Sequence, residues 1–309
     1  MISMIRNKYL TLIGVGLLFT AVSCTDGYEP EPVELVSIDF VFSKTDSLGT
    51  NAVKFMNNIY ATLQNGHNRV GSDYLDAASD DAISINVSDP DVYKLAMGRY
   101  TASTRVESDM RWKEYYSGIR KANILINHID VVPFMLTYKN AKGETKPLNV
   151  TMKAEARFLR AYFYFELVKR YGGVPLIDKS QEYDPNNLEA LMVPRNKEIE
   201  IYDFIIKECQ EAAQDLPDTR EAEAKYRANR YVALSLCSRA ALYAGSIARY
   251  GTVQQEGLVG IPASEADRFF QISYEASKAI ITSGKYALYN NKPDNKAQNF
   301  CDMFLKGNG

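Results

Sequence analysis

Between Glu155 and Leu176 the chain reads EARFLRAYFYFELVKRYGGVPL, and this run limits the possible folds more than any other. Wound as a helix, it sets Phe158, Tyr162 and Phe165 on one face and Leu159, Phe163 and Leu167 on another, so apolar surface continues most of the way round. Such a helix has to be enclosed by protein on most sides. Gly172-Gly173 predicts a left-handed closing residue, and Pro175 prevents continuation. Arg157, Arg160, Lys169 and Arg170 must extend past apolar neighbours or pair with acids such as Glu155 and Glu166. With so little free surface, the segment reads as scaffold and not as a binding site.

The same periodicity recurs along the chain. Trp112, Tyr115/Tyr116, Ile119, Ala122, Ile126 and Ile129 recur at helical steps and end before Pro133. Asn196 is placed to cap a helix striped by Ile199, Tyr202, Ile205/Ile206, Cys209, Ala212/Ala213 and Leu216, which Pro217 stops. Asn229 is placed to cap the next, striped by Val232/Ala233, Leu236, Ala240, Tyr243 and Ile247, and a further helix runs from near Ala266 to Ser283 with Gly284 as its terminator. No alternating strand pattern intervenes, so the expected class is all-α, an α-solenoid of stacked hairpins. The helix starts at Lys153, Asn196, Asn229 and Ala266 are spaced too widely for compact tetratricopeptide repeats of ~34 residues. Long connections are therefore expected at Val174 to Arg195 and Gly251 to Glu265.

The N-terminus reads as an export signal. Arg6 and Lys8 precede the apolar run Tyr9 to Val22, which is shorter than the ~20 residues that span a bilayer. It ends in Ala21-Val22-Ser23-Cys24, small residues leading into a cysteine, as in a bacterial lipobox. Residues 1–24 are thus expected to be a lipoprotein signal with Cys24 as the lipidated residue. Thr25 to Glu34, TDGYEPEPVE, carries acids and prolines with few apolar residues, and residues 25–49 are assigned as a flexible tether. The helical domain is placed at 50–309.

Charge and cysteine usage exclude several functions. With 36 Lys+Arg against 38 Asp+Glu, no bulk field draws the chain to nucleic acid or anionic lipid, so the lipid anchor is the only membrane contact expected. Apart from Cys24 the cysteines are Cys209, Cys237 and Cys301, with no C-x-x-C and no nearby His, so no metal is expected. Cys209 and Cys237 fall on helical apolar stripes and are expected to be buried thiols. No nucleophile, nucleotide or cofactor motif is present, and the adjacent Asp80 and Asp81 would point to opposite sides of an extended chain, unlike the opposed carboxylates of a glycosidase. The expectation is a protein that is not an enzyme and needs no cofactor.

The run Glu155 to Leu176 resembles the signature of the SusD/RagB family of Bacteroidota surface lipoproteins, E-A-R-F-L-R-A-x-x-Y-F-x-L-V-x-x-Y-G-G-V-P-L. Trp112 to Ile129, Ile199 to Pro217, Arg227 to Gly245 and Ile280 to Leu288 resemble further segments of that family, in the family's order and behind a lipobox. The resemblance implies tetratricopeptide-like helical hairpins carrying long irregular loops. It also implies a lipid-anchored, surface-exposed position on the outer membrane, where the protein captures oligosaccharide or another nutrient for a SusC-like TonB-dependent transporter. A tetratricopeptide-like scaffold binding peptide or protein cargo is the competing expectation.

Two departures from the family pattern stand out. The chain stops at CDMFLKGNG, without the family's C-terminal half, which normally supplies much of the ligand surface; it is expected to be either a fragment or a truncated gene product. Sugar-binding relatives also place an exposed aromatic soon after an acidic landmark resembling Ser79-Asp80-Asp81, because a ring face stacks on a pyranose while amides and carboxylates bond its hydroxyls. Here Ala82 to Asn86, AISIN, has no ring. Tyr93 and Tyr100 are the nearest substitutes, and the candidate ligand residues are Asp80, Asp81, Asn86, Asp89, Tyr93, Arg99 and Tyr100. The alternative is that both tyrosines pack against the helices while the acids face solvent.

Overall fold

In the computed structural model the described residues are 37–64, 69–71, 73–85, 90–101, 103, 107–181 and 183–305. Cys24 and the signal lie outside them, as does the tether up to residue 36. The apolar stripes become the buried faces of helices. The first elements are α1 (Ile38–Val41) and α2 (Thr50–Tyr60), followed by a small hairpin and α3 (Pro90–Ala96), α4 (Glu107–Met110) and α5 (Trp112–His128). Then come α6 (Leu148–Tyr171), α7 (Glu198–Asp215), α8 (Arg230–Tyr250), α9 (Ala266–Thr282) and α10 (Lys296–Leu305). From α5 to α9 each helix packs on the next in chain order, and α2 lies against α5 and α6. This is the stacked all-α architecture expected from the periodicity.

Helix α6 is the enclosed helix that its residues demanded. Phe158, Leu159, Phe163, Tyr164, Phe165, Leu167 and Val168 are all buried, and Tyr162 is partly so. Each such side chain contributes about 1.5–3 kcal/mol on removal from water. Close approach of α5 depends on Gly118, where an added Cβ would sit 2.6 Å from the Phe163 ring. Cys209 and Cys237 are buried free thiols, as expected, and Cys301 is exposed.

The boundaries differ from the sequence reading in instructive ways. Helix α1 falls within the stretch assigned to the tether, and Phe42 there is buried against Phe55 at 5.4 Å and His128 at 5.9 Å between ring centroids. Helix α6 starts at Leu148, ahead of Lys153, with Pro147 in extended backbone before it. Gly172 has φ 68° and ψ −139°, a backbone open to glycine but outside the left-handed helical region. Gly173 is demanded by packing, since a Cβ there would lie 2.0 Å from the Asn196 carbonyl. Asn229 caps α8 through Val232 N–H at 3.0 Å, as expected. Asn196 does not cap α7: its Oδ1 accepts from Leu176 N–H at 3.0 Å, and the Glu200 carboxylate accepts from Lys197 N–H at 3.3 Å. A hairpin, β3 (Thr137–Lys139) with β4 (Thr145–Pro147), was not foreseen, because strands this short show no alternation.

Buried charges tie the stack together. The Arg160 guanidinium donates to Glu208 at 2.9 and 2.5 Å, to Asn123 Oδ1 at 2.6 Å and to the Asp178 carbonyl at 2.8 Å. Asn123 in turn donates to the carbonyls of Ile177 and Lys179. One arginine therefore fastens α5, α6, α7 and the strap that leaves α6. Glu155 accepts from Tyr60 at 2.7 Å and pairs with Arg220 at 2.9 Å and Arg227 at 3.3 Å.

Candidate functional site

The acidic landmark sits on a small module at the edge of the stack. β1 (Arg69–Val70) pairs antiparallel with β2 (Asp73–Tyr74), and a 3-10 turn, Leu75–Ala78, follows and packs on α3. Its core is Val70, Ala77 and Val92, with Leu95 against them. Asp80 and Asp81 come directly after the turn, and both are exposed. Ser79 Oγ closes the turn by donating to the Asp76 carbonyl at 2.8 Å and accepting from Asp81 N–H at 3.2 Å. Ile83 and Ile85 project into solvent. Asn86 and Asp89 lie outside the described residues.

The structure brings some of the candidates together and leaves others apart. Tyr93 and Tyr100 are 42% and 44% exposed, so neither is absorbed into the helical core. The Arg99 guanidinium lies 5.7 Å from the centre of the Tyr93 ring, within cation–π range. Tyr100 Oη reaches Met110 Sδ at 3.7 Å. Among the described residues, no hydrogen bond or ion pair joins Asp80 or Asp81 to Tyr93, Arg99 or Tyr100.

Met110 leads to an aromatic group that sequence reasoning had assigned to the helix core. Tyr171 Oη donates to the Met110 carbonyl at 3.0 Å. Trp112, the single tryptophan, lies 4.8 Å from the Tyr171 ring and 4.9 Å from that of Tyr116, and remains 39% exposed. Arg170 fixes this corner by donating to both oxygens of Asp109, at 3.0 and 2.6 Å, and to Glu166 at 2.7 Å. Tyr116 donates to the Pro175 carbonyl at 2.8 Å, and burial pushes its phenol up, so it stays a donor at neutral pH. The available signal was position: Trp112 is the first residue of α5, where an apolar side chain overhangs the helix end. Exposed rings beside a guanidinium and carboxylates can stack on apolar ring faces and bond hydroxyls.

The profile of a SusD-like protein family, described as starch-binding and associating with the outer membrane, matches residues 44–242. The chain is 28% identical over 215 residues to SusD-like protein P38 of Formosa agariphila, covering 69% of this chain and 37% of the relative. A SusD-like protein of Bacteroides ovatus is 29% identical over 128 residues, covering 41% of this chain and 21% of the relative. Among solved structures, a SusD-like protein from Bacteroides fragilis superposes with a TM-score of 0.62 at 23% identity, covering 88% of this chain and 44% of the other. A laminarin-binding SusD-like protein superposes at 0.51 with 23% identity, covering 68% and 45%. The chain spans less than half the length of each of these relatives.

Proposed function

The chain belongs to the SusD-like family, and from that premise we propose that it is a glycan-binding lipoprotein of the outer membrane, anchored through Cys24 and exposed at the cell surface. It captures oligosaccharide for a SusC-like TonB-dependent transporter and does not catalyse a reaction. The observation that carries this reading is the exposed Tyr93 ring under Arg99, with Tyr100 and Trp112 on the same route through Met110, outside the helical core. Asp80 and Asp81 supply acceptors for sugar hydroxyls, and the helical stack supplies the rigid support.

Titration with starch and laminarin oligosaccharides tests the ligand. Changing Tyr93 and Tyr100 together to Ala should weaken binding by about 1 kcal/mol per ring, the scale of aromatic contacts, with the melting temperature unchanged. Unaltered affinity, or binding of peptides but no glycan, would remove the reading in favour of a scaffold. The anchor is tested separately: Cys24→Ala should release the protein from membranes, and a variant that survives a carbonate wash in the membrane fraction contradicts lipidation there.

A further inference from the structure

The strap that follows α6 leaves a cleft of about 330 Å³ against α5, at the small end of the range for ligand sites. Lys113, Tyr116, Ser117, Arg120 and Asn123 repeat at three- and four-residue steps and so form one face of α5, while Lys179 projects from the strap opposite. No carboxylate lines this space among the described residues. Arg157, Arg160 and Arg170, on the neighbouring helix, are by contrast each paired with an acid. Among the described residues the ammonium groups of Lys113 and Lys179 have no hydrogen bond or ion pair, and Arg120 bonds the Gln181 carbonyl at 3.3 Å.

The walls are held in place before any ligand arrives. Asn123 is fully buried and pins the strap through Ile177 and Lys179 at 2.9 and 3.0 Å, while Arg160 fixes Asn123 from behind. Tyr116 is locked to Pro175 and presents its ring to the cleft beside Ile119. Trp112, 39% exposed, lies 4.9 Å from the Tyr116 ring. An apolar wall, the Ser117 hydroxyl and three cations that face no carboxylate among the described residues match a sugar ring that carries an anionic group.

We infer that this cleft is a subsite for an acidic saccharide, with Lys113, Arg120 and Lys179 holding a carboxylate or sulfate and the Tyr116 ring facing the apolar side of the pyranose. The inference rests on the glycan-binding reading and names its substrate class. A preformed cationic cleft gains affinity by avoiding ordering costs, and its exposed charges make binding sensitive to salt.

Titration of the full chain with tri-galacturonate, with its neutral methyl ester and with a sulfated trisaccharide tests it. The acid should bind at least ~10-fold tighter than the ester, a difference of ~1.4 kcal/mol, and the preference should shrink as salt rises. The sulfated sugar distinguishes which anion is preferred. The double variant Lys113→Gln/Lys179→Gln, on exposed side chains without partners among the described residues, should keep the circular dichroism spectrum and melting temperature and bind acid and ester alike. Neutral oligosaccharide binding that depends on Tyr93 and Tyr100 should persist in it. Equal affinity for acid and ester in the parent, or a preference that survives the double variant, overturns the subsite while leaving neutral glycan binding intact. Failure of every saccharide to bind overturns both readings, and acid binding lost in the double variant without any neutral binding upholds the cleft alone.

Discussion

The α5–α9 stack and the module around residues 69–101 are built on opposite terms. In the stack, Arg160, Glu208 and Asn123 are buried and bonded to one another, and the large side chains of α6 fill the space between its neighbours. The module is held by Val70, Ala77 and Val92 and presents Tyr93, Arg99 and Tyr100 to solvent. The difference separates two tasks. Stability is concentrated where the chain is surrounded, and the proposed recognition residues sit on a segment with few buried contacts, the usual place for local opening and for binding residues.

The largest expected effect lies in the stack. Arg160→Ala would leave the buried Glu208 with only the Arg157 contact at 3.1 Å and Asn123 Oδ1 without its donor, and should cost about 3 kcal/mol in denaturant unfolding. Replacing both members, Arg160→Met with Glu208→Met, should recover most of that loss, because no charge is then stranded. A loss near zero in the single variant would show that Arg157 alone satisfies Glu208 and that the Arg160 network adds no stability to the stack.

A smaller effect should appear in the module. Val92→Ala removes side-chain carbons worth about 0.8 kcal/mol each, so the cost should stay near ~1.5 kcal/mol. It should appear as faster hydrogen exchange within residues 69–101, with the unfolding midpoint of the stack unchanged. Coincident loss of protection in α6 would mean that the two regions unfold as one.

The smallest effect is pH-dependent. Burial pushes the Glu198 carboxyl above its ordinary value, and the 2.5 Å bond from Gly260 N–H only partly opposes this. A carboxyl raised on folding stabilises the fold while protonated, and that contribution is lost as pH rises from the unfolded value, about 4.3, through the folded one. Glu198→Gln keeps an acceptor for Gly260 without the charge. Its melting temperature should exceed that of the parent at pH 7, with the gap closing toward pH 4. A gap that widens on acidification contradicts the assigned sign.

Most of the helices could be read before any coordinates, because a helix announces itself by local spacing: the stripes of α5 to α9, the Asn229 cap and the buried Cys209 and Cys237 all depend on residues close in sequence. The pairing of Glu166 with Lys169 and Arg170 was legible for the same reason. The family signature was legible as well, and it brought the fold with it. The candidate face was legible only in part: Tyr93, Arg99 and Tyr100 could be named, but nothing local indicated that Arg99 would cover Tyr93 or that Tyr100 would reach Met110 beside Trp112.

What the tertiary structure alone decided is the choice of distant partners. Glu155, with cations beside it on its own helix, pairs instead with Tyr60, Arg220 and Arg227, and Phe42, counted with the tether of residues 25–49, joins the core. Asn196 gives up the cap for the strap, and Lys113, Arg120 and Lys179 converge only because Asn123 draws the strap across α5. Periodicity states which face of a helix is buried, whereas the identity of the neighbour depends on how successive helices stack and on which buried polar group must be satisfied there.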